Sequence, residues 1–272
     1  MRLAMDGTLL SVSAAELYAH LGTAAAPLVI DVRRDDAFDA DDRQIIGAVR
    51  HAPEEVDRWS RELPDGGTVV VYCNHGGDVS QGVAKTLRAA GVKAACLDGG
   101  ISAWQTMELP TRRKLRGGAD NKWVTREHPK IDRIACPWLV SRFINPGAEF
   151  IYVPPDQVTG VAEQIGGIPY DIKGAEFGHV GDRCSFDAIV RIFDIKDPAL
   201  DRVATVVRGA DTSRRDLAPE CEGLYAISFG LSANFPDDHE MLRHGLVIYD
   251  ALYTWCRKAL GTAAAQPLKA PA

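Results

Sequence analysis

Hydrophobic positions along this chain fall into two textures, which change near residue 120. In the first half, apolar runs of four or five residues alternate with amphipathic stretches. Leu28–Asp31 and Thr68–Tyr72 each read as a strand buried on both faces, and Ala94–Leu97 as a third. Ser13 followed three residues later by Glu16 is a capping-box pattern that opens a helix through His20, and Ser80 to Ala90 reads as a helix closed by Gly91. Strands alternating with helices predict an α/β unit, a doubly wound parallel sheet with helices on both faces.

From Trp123 onward the longer period of helices takes over. Ile131–Ile144 is an amphipathic helix ended by Asn145, Pro146 and Gly147, with Pro137 kinking it or marking its true first turn. Helical patterning returns over about 185–194, 198–208, 217–231 and 238–259, whereas Phe150–Val153 and Ile168–Ile172 read as strands. The second half is thus expected to be a mainly helical α+β domain. The stretch Pro110–Asn121, with its paired glycines and four basic residues, interrupts both patterns and reads as a connector. This places one domain at 1–112, a linker at 113–121 and a second domain at 122–260, and a length of 272 residues suits two cores. The Ala- and Pro-rich tail after Leu260 is expected to fray.

Composition narrows the functional classes. With 46% hydrophobic and 25% charged residues the chain is neither disordered nor fibrous. No apolar run approaches the ~20 residues of a membrane span, and Met1–Leu10 lacks the apolar core of a signal peptide, so a cytoplasmic protein without a membrane partner is expected. The net charge of −6 divides evenly, −3 in residues 1–120 (14 basic, 17 acidic) and −3 in the remainder (17 basic, 20 acidic). Neither half is the basic body of a dedicated nucleic-acid binder, although such a sum leaves a local patch open. Six cysteines without close pairs read as free thiols.

The most informative segment is Cys73, Asn74, His75, Gly76, Gly77, Asp78 and Val79, set between a buried strand and a helix. Glycines let the loop curl so that successive amides point inward, and the helix directs its unpaired N–H groups at the same space. A cysteine held there ionises readily and becomes a nucleophile, with the loop as its binding cradle; the competing reading is a buried structural thiol. Asp31 and Arg33 at the end of the first strand read as structural ties, Cys96 and Trp104 as core, and Asp98–Gly100 as a turn.

The Asp31–Arg33 string, Ile46–His51, the Cys73 loop and Leu97–Trp104 occur in the order found in rhodanese domains, and the resemblance covers about residues 8–110. It implies a five-stranded parallel sheet and a Cys73 that accepts sulfane sulfur as a persulfide and passes it on, with no cofactor required. Its partners would be a small anionic sulfur donor or a protein persulfide. Active rhodaneses usually carry basic or hydroxyl side chains in this loop, and Asp78 departs from that pattern by repelling an anion such as thiosulfate. A phosphatase or arsenate reductase on the same scaffold needs a loop arginine, and none lies between Cys73 and Lys85.

In the second half the candidate chemistry is Asp132, Arg133, Cys136, Asp171, Glu176, His179, Cys184 and Asp187. His179, Cys184 and Asp187 lie within nine positions, on a Gly-flanked loop leading to a helix capped by Ser185. Imidazole, thiol and carboxylate suit zinc or iron, so His179 and Cys184 are the metal candidates; a polar loop with a buried cysteine is the alternative. His239 and His244 are one residue too far apart for a metalloprotease helix. The strings Ile131–Trp138, Cys184–Asp187, Arg208–Asp211 and Tyr249–Cys256 resemble the C-terminal domain of the bacterial chromate-resistance protein family over about residues 122–258. That resemblance implies an association with chromate resistance and raises a pocket of Arg133, Cys136, His179, Cys184 and Asp187 for a metal or an oxyanion such as chromate. Two functional readings result: a sulfurtransferase coupled to chromate defence, sensible because chromate enters cells as a sulfate mimic, or a non-catalytic oxyanion- or redox-responsive regulator able to bind DNA.

Overall fold

The computed structural model describes residues 2–3, 9–64, 66–114 and 121–263. The chain forms two compact units, the first made mainly of residues up to Lys114 and the second mainly of those after it. In the first unit the elements follow as β1 (Arg2–Leu3), β2 (Leu9–Val12), α1 (Ala14–His20), β3 (Leu28–Asp31), α2 (Asp35–Asp39), β4 (Arg43–Ile45), β5 (Ala48–Arg50), α3 (Val56–Trp59), β6 (Thr68–Tyr72), α4 (Asp78–Ala89), β7 (Lys93–Leu97), α5 (Gly100–Thr106) and β8 (Thr111–Arg113). Five strands run parallel in the order β2-β7-β6-β3-β5, and β1 adds an antiparallel edge beside β2.

The apolar runs became strands because the sheet is covered on both sides. Val29, Ile30, Val70, Val71, Ala95 and Leu97 are all at most 2% exposed, which is why these strands are continuous in hydrophobicity rather than alternating. The capping box at α1 forms, with Glu16 N–H donating to Ser13 Oγ and Ser13 N–H donating back to the Glu16 carboxylate. Helix α4 starts two residues earlier than its apolar pattern, at Asp78, and Gly91 follows it at φ +85°. Trp104 is fully buried, donating from Nε1 to the Pro110 carbonyl at 2.9 Å.

The start of the expected linker is part of this unit instead. Thr111–Arg113 pairs antiparallel with Arg43–Ile45, and Lys114 N–H donates to the Asp42 carbonyl. The basic side chains that looked like connector chemistry leave the backbone free to make these bonds. Residues 115–120 of that linker, like the tail from 264 onward, lie outside the described residues.

The second unit contains β9 (Lys122–Arg126), α6 (Asp132–Leu139), β10 (Glu149–Val153), α7 (Val158–Ile165), β11 (Ile168–Pro169), α8 (Ser185–Ile192), α9 (Pro198–Asp211), α10 (Glu220–Asn234) and α11 (Asp238–Ala263). Its small parallel sheet has the order β10-β9-β11, with Val124 packed on Val158 and Ala162 of α7. The central strand was hidden in the sequence by its basic ends, Lys122 and Arg126. Expected strand 168–172 shortens to two residues, after which Tyr170 bridges to Phe177. Pro137 lies inside α6, which continues as a π turn over Val140–Ile144. Trp138 is fully buried against Phe186, Tyr249 and Tyr253, and donates to Asp250 Oδ1 at 2.8 Å. Among the described residues no helix is long and apolar enough to cross a membrane.

Candidate functional site

Cys73 follows β6 directly, at the carboxyl end of the parallel sheet where ligands of such folds bind. Its side chain faces the first turn of α4, with Sγ 3.2 Å from Ser80 Oγ. Burial by itself would raise the thiol's pKa. The Ser80 hydroxyl and the main-chain N–H groups of Ser80, His75 and Gly77 outweigh that effect and hold it below the ordinary thiol value. The thiolate form is thus favoured by one hydroxyl and three main-chain N–H groups.

Glycines at two positions make this cradle possible. Gly76 has φ +68°, and a Cβ there would stand 2.6 Å from the Leu97 carbonyl oxygen. Gly100 has φ +57°, and a Cβ there would stand 2.2 Å from the Cys73 carbonyl oxygen. The α5 N-terminus instead approaches closely enough for Ile101 N–H to donate to the Cys73 carbonyl and Ser102 N–H to the Asn74 carbonyl, both at 3.0 Å. His75 is exposed and tethered through Nδ1 to Ser102 Oγ, Val79 packs against the core, and Asp78 is exposed at the first turn of α4.

Asp31 and Arg33 form a buried tie beneath the strand ends. Arg33 donates from Nε and Nη2 to both Asp31 carboxylate oxygens, Tyr72 donates its hydroxyl to Asp31, and Arg33 also reaches Asp41. Cys96 sits in β7 with its thiol raised by burial.

A second polar constellation lies in the other unit, where four side chains converge from well-separated chain positions. Asp132 opens α6, Asp171 follows β11, His179 comes from the loop before α8, and Asp211 ends α9. His179 Nε2 lies 3.4 Å from Asp132 Oδ2, 3.2 Å from Asp171 Oδ1 and 3.3 Å from Asp211 Oδ2. With these three carboxylates around it the imidazole is pushed up to about 12.

The carboxylates are held from behind. Asp132, fully buried, accepts N–H bonds from Ser185 (2.6 Å) and Phe186 (3.2 Å), the first residues of α8. Burial raises its pKa in spite of the His179 contact. Asp171 takes the Ser185 hydroxyl on Oδ1 and Arg126 and Arg133 on Oδ2. Against a burial penalty, His179 and these arginines hold Asp171 below the usual carboxylate range. Asp171 and His179 also line an open cleft of about 530 Å³ together with Arg126 and Lys173.

The structure therefore divides the expected pocket. His179 stays at its centre and Arg133 at its edge, through Asp171. Cys136 and Cys184 are fully buried thiols, raised well above the ordinary value by burial, and Cys184 turns to Asp187 at 3.6 Å rather than toward His179. Asp187 is committed to α8: it accepts Cys184 N–H in a capping box and pairs with Arg208 at 2.6 Å. Ser185, expected as the cap, is the first helical residue, because Asp187 does the capping and the Ser185 hydroxyl goes to Asp171. Glu176 is exposed. Sequence reasoning singled out Asp132 and Asp171 without joining them to His179, and Asp211 was visible only as the end of the Arg208–Asp211 string.

The two sites thus lie on a sheet-borne cysteine loop and on a helical second unit, and comparison with known proteins gives both units a family. Residues 13–107 match the rhodanese-like domain, and residues 123–256 match the ChrB C-terminal domain. The chain joins a rhodanese-like domain to a ChrB C-terminal domain. Protein ChrB of Cupriavidus metallidurans is 33% identical over 139 residues, 49% of this chain and 40% of that protein, so the match spans less than half of the relative's length. Among solved structures, a rhodanese-related protein from Thermoplasma volcanium is 25% identical, with 38% of this chain and 96% of that chain covered and a TM-score of 0.34. A rhodanese-like domain protein from Staphylococcus aureus is 23% identical, with coverages of 35% and 91% and a TM-score of 0.32.

Proposed function

We propose that this protein is a sulfurtransferase of the rhodanese type, working in chromate resistance, in which Cys73 carries sulfane sulfur as a persulfide. The observation that carries this reading is the cradle of donors around Cys73, which favours the thiolate and leaves its backbone carbonyl braced by α5. The thiolate would attack the outer sulfur of a persulfide donor; the donor's S–S bond breaks, its own sulfur leaves as a thiolate, and Cys73 keeps the transferred atom. An acceptor nucleophile then attacks that terminal sulfur and Cys73 leaves as a thiolate, so no cofactor or redox partner enters the cycle. The negative end of the bound persulfide would rest against the same N–H groups.

Asp78 at the rim favours a low-molecular-weight or protein persulfide over thiosulfate, whose two negative charges it would oppose. Intact-mass measurement of the full chain after incubation with a persulfide donor tests the proposal. Wild type is expected to gain one sulfur atom and Cys73→Ser none. A wild-type protein that takes up no sulfur from persulfide donors or thiosulfate would overturn it.

A further inference from the structure

We propose that Asp132, Asp211 and His179 bind a divalent cation in the ChrB C-terminal domain, with Asp171 standing beside them. The geometry carries this. A neutral or protonated Nε2 offers at most one N–H, yet three carboxylate oxygens stand around it at near-equal distances of 3.2–3.4 Å. One proton cannot serve three acceptors well, and each separation exceeds the ~2.7–2.9 Å of a good charge-assisted bond. The distances from Nε2 to the Asp132 and Asp211 oxygens are those of ligands that share an ion: groups about 2.1 Å from one centre stand ~3.0 Å apart at octahedral angles and ~3.4 Å apart at tetrahedral ones. Ligand atoms of Asp132, His179 and Asp211 also lie within 4.8 Å of one another.

The charges agree. Asp171 is matched on its far oxygen by Arg126 and Arg133. Asp132 and Asp211 have no Lys or Arg ion pair among the described residues and share only the His179 imidazole, although Asp132 is buried; two carboxylates match one divalent ion that takes the place of the imidazole proton and leaves His179 a neutral ligand. The amides of Ser185 and Phe186 and the Ser185 hydroxyl orient two of the carboxylates as outer supports do in metal sites. Carboxylate oxygens with one imidazole suit manganese, iron or zinc, and Cys184, a buried thiol turned to Asp187, is not in the set. The cleft that Asp171 and His179 line, with Arg126 and Lys173 on its wall, gives such an ion an open side for an anionic ligand.

Metal-stripped full-length protein titrated with Mn(II), Fe(II) and Zn(II) under anaerobic conditions tests this, with bound metal read by elemental analysis and binding by calorimetry. Wild type is expected to take up about one equivalent of at least one ion. Asp211→Asn and His179→Gln, both at positions that are not fully buried, are expected to weaken binding roughly tenfold or more while keeping native circular dichroism, and Cys184→Ser to bind like wild type. Wild type that binds none of the three ions would overturn the proposal and leave His179 as the cation of the cage. Equal binding by Asp211→Asn and His179→Gln would overturn it as well, and so would loss of binding confined to Cys184→Ser.

Discussion

Cys73 is served by main-chain donors from a single run ending at Ser80, whereas the second unit assembles its polar centre from side chains at positions 132, 171, 179 and 211. The first site is a property of a loop shape. It has few side chains of its own and relies on glycines that let α5 and the end of β7 come within bonding distance. The second is a property of packing, because its carboxylates are aimed by a helix terminus and by arginines on other elements. A backbone cradle fails when the chain cannot curl, whereas a side-chain cage fails when one member is removed.

The largest effect is expected where the cradle is blocked. Gly100→Ala would place a methyl 2.2 Å from the Cys73 carbonyl at a positive φ, and urea unfolding should show a loss of roughly 2–4 kcal/mol, together with slower alkylation of Cys73. The corresponding break in the cage is Asp132→Ala, which strands the Ser185 and Phe186 amides at the start of α8. A loss of about 1–3 kcal/mol is expected in the same assay, with Cys73 alkylation unchanged. If instead this variant slows Cys73 as much as Gly100→Ala does, the two sites are not independent.

A smaller effect separates the donors within the cradle. Because the Cys73 pKa is depressed, its thiolate persists to lower pH than that of an ordinary cysteine, and alkylation should fall only as pH drops through that lowered value. Ser80→Ala removes the side-chain donor and leaves the amides, so the midpoint of the rate–pH profile should move up. An unmoved midpoint would mean that the amides act alone. The smallest effect is expected from Asp78→Asn. This side chain is exposed, so stability should not change measurably, while sulfur uptake from thiosulfate should rise by no more than about threefold as one repulsive charge is removed.

The same contrast explains what was legible beforehand. The five parallel strands follow runs such as Leu28–Asp31 and Thr68–Tyr72, because burial on both faces writes itself into consecutive residues. The Cys73 loop was legible for a similar reason: nucleophile, glycines and helix start are neighbours in the chain. Strand β9 was not, since a five-residue strand bounded by Lys122 and Arg126 beside a basic stretch has no apolar run to announce it. Cys184 looked like a partner for His179 because only five positions separate them, yet it stands at the N-cap position of α8 and turns inward to Asp187.

The sequence by itself determined the two-part organisation, the parallel sheet and the placing of Cys73 at a strand end, since all three depend on residues within one or two elements of each other. Only the tertiary structure decided that Asp211, the last residue of α9, would face His179, and that Asp132 would be steadied by the first amides of α8. Nearness along the chain governs turns, caps and strands, where bonds close over a few residues. Convergence of four polar side chains depends on how helices pack, and that is fixed by apolar contacts such as Trp138 on Phe186, which carry no mark of the chemistry they bring together.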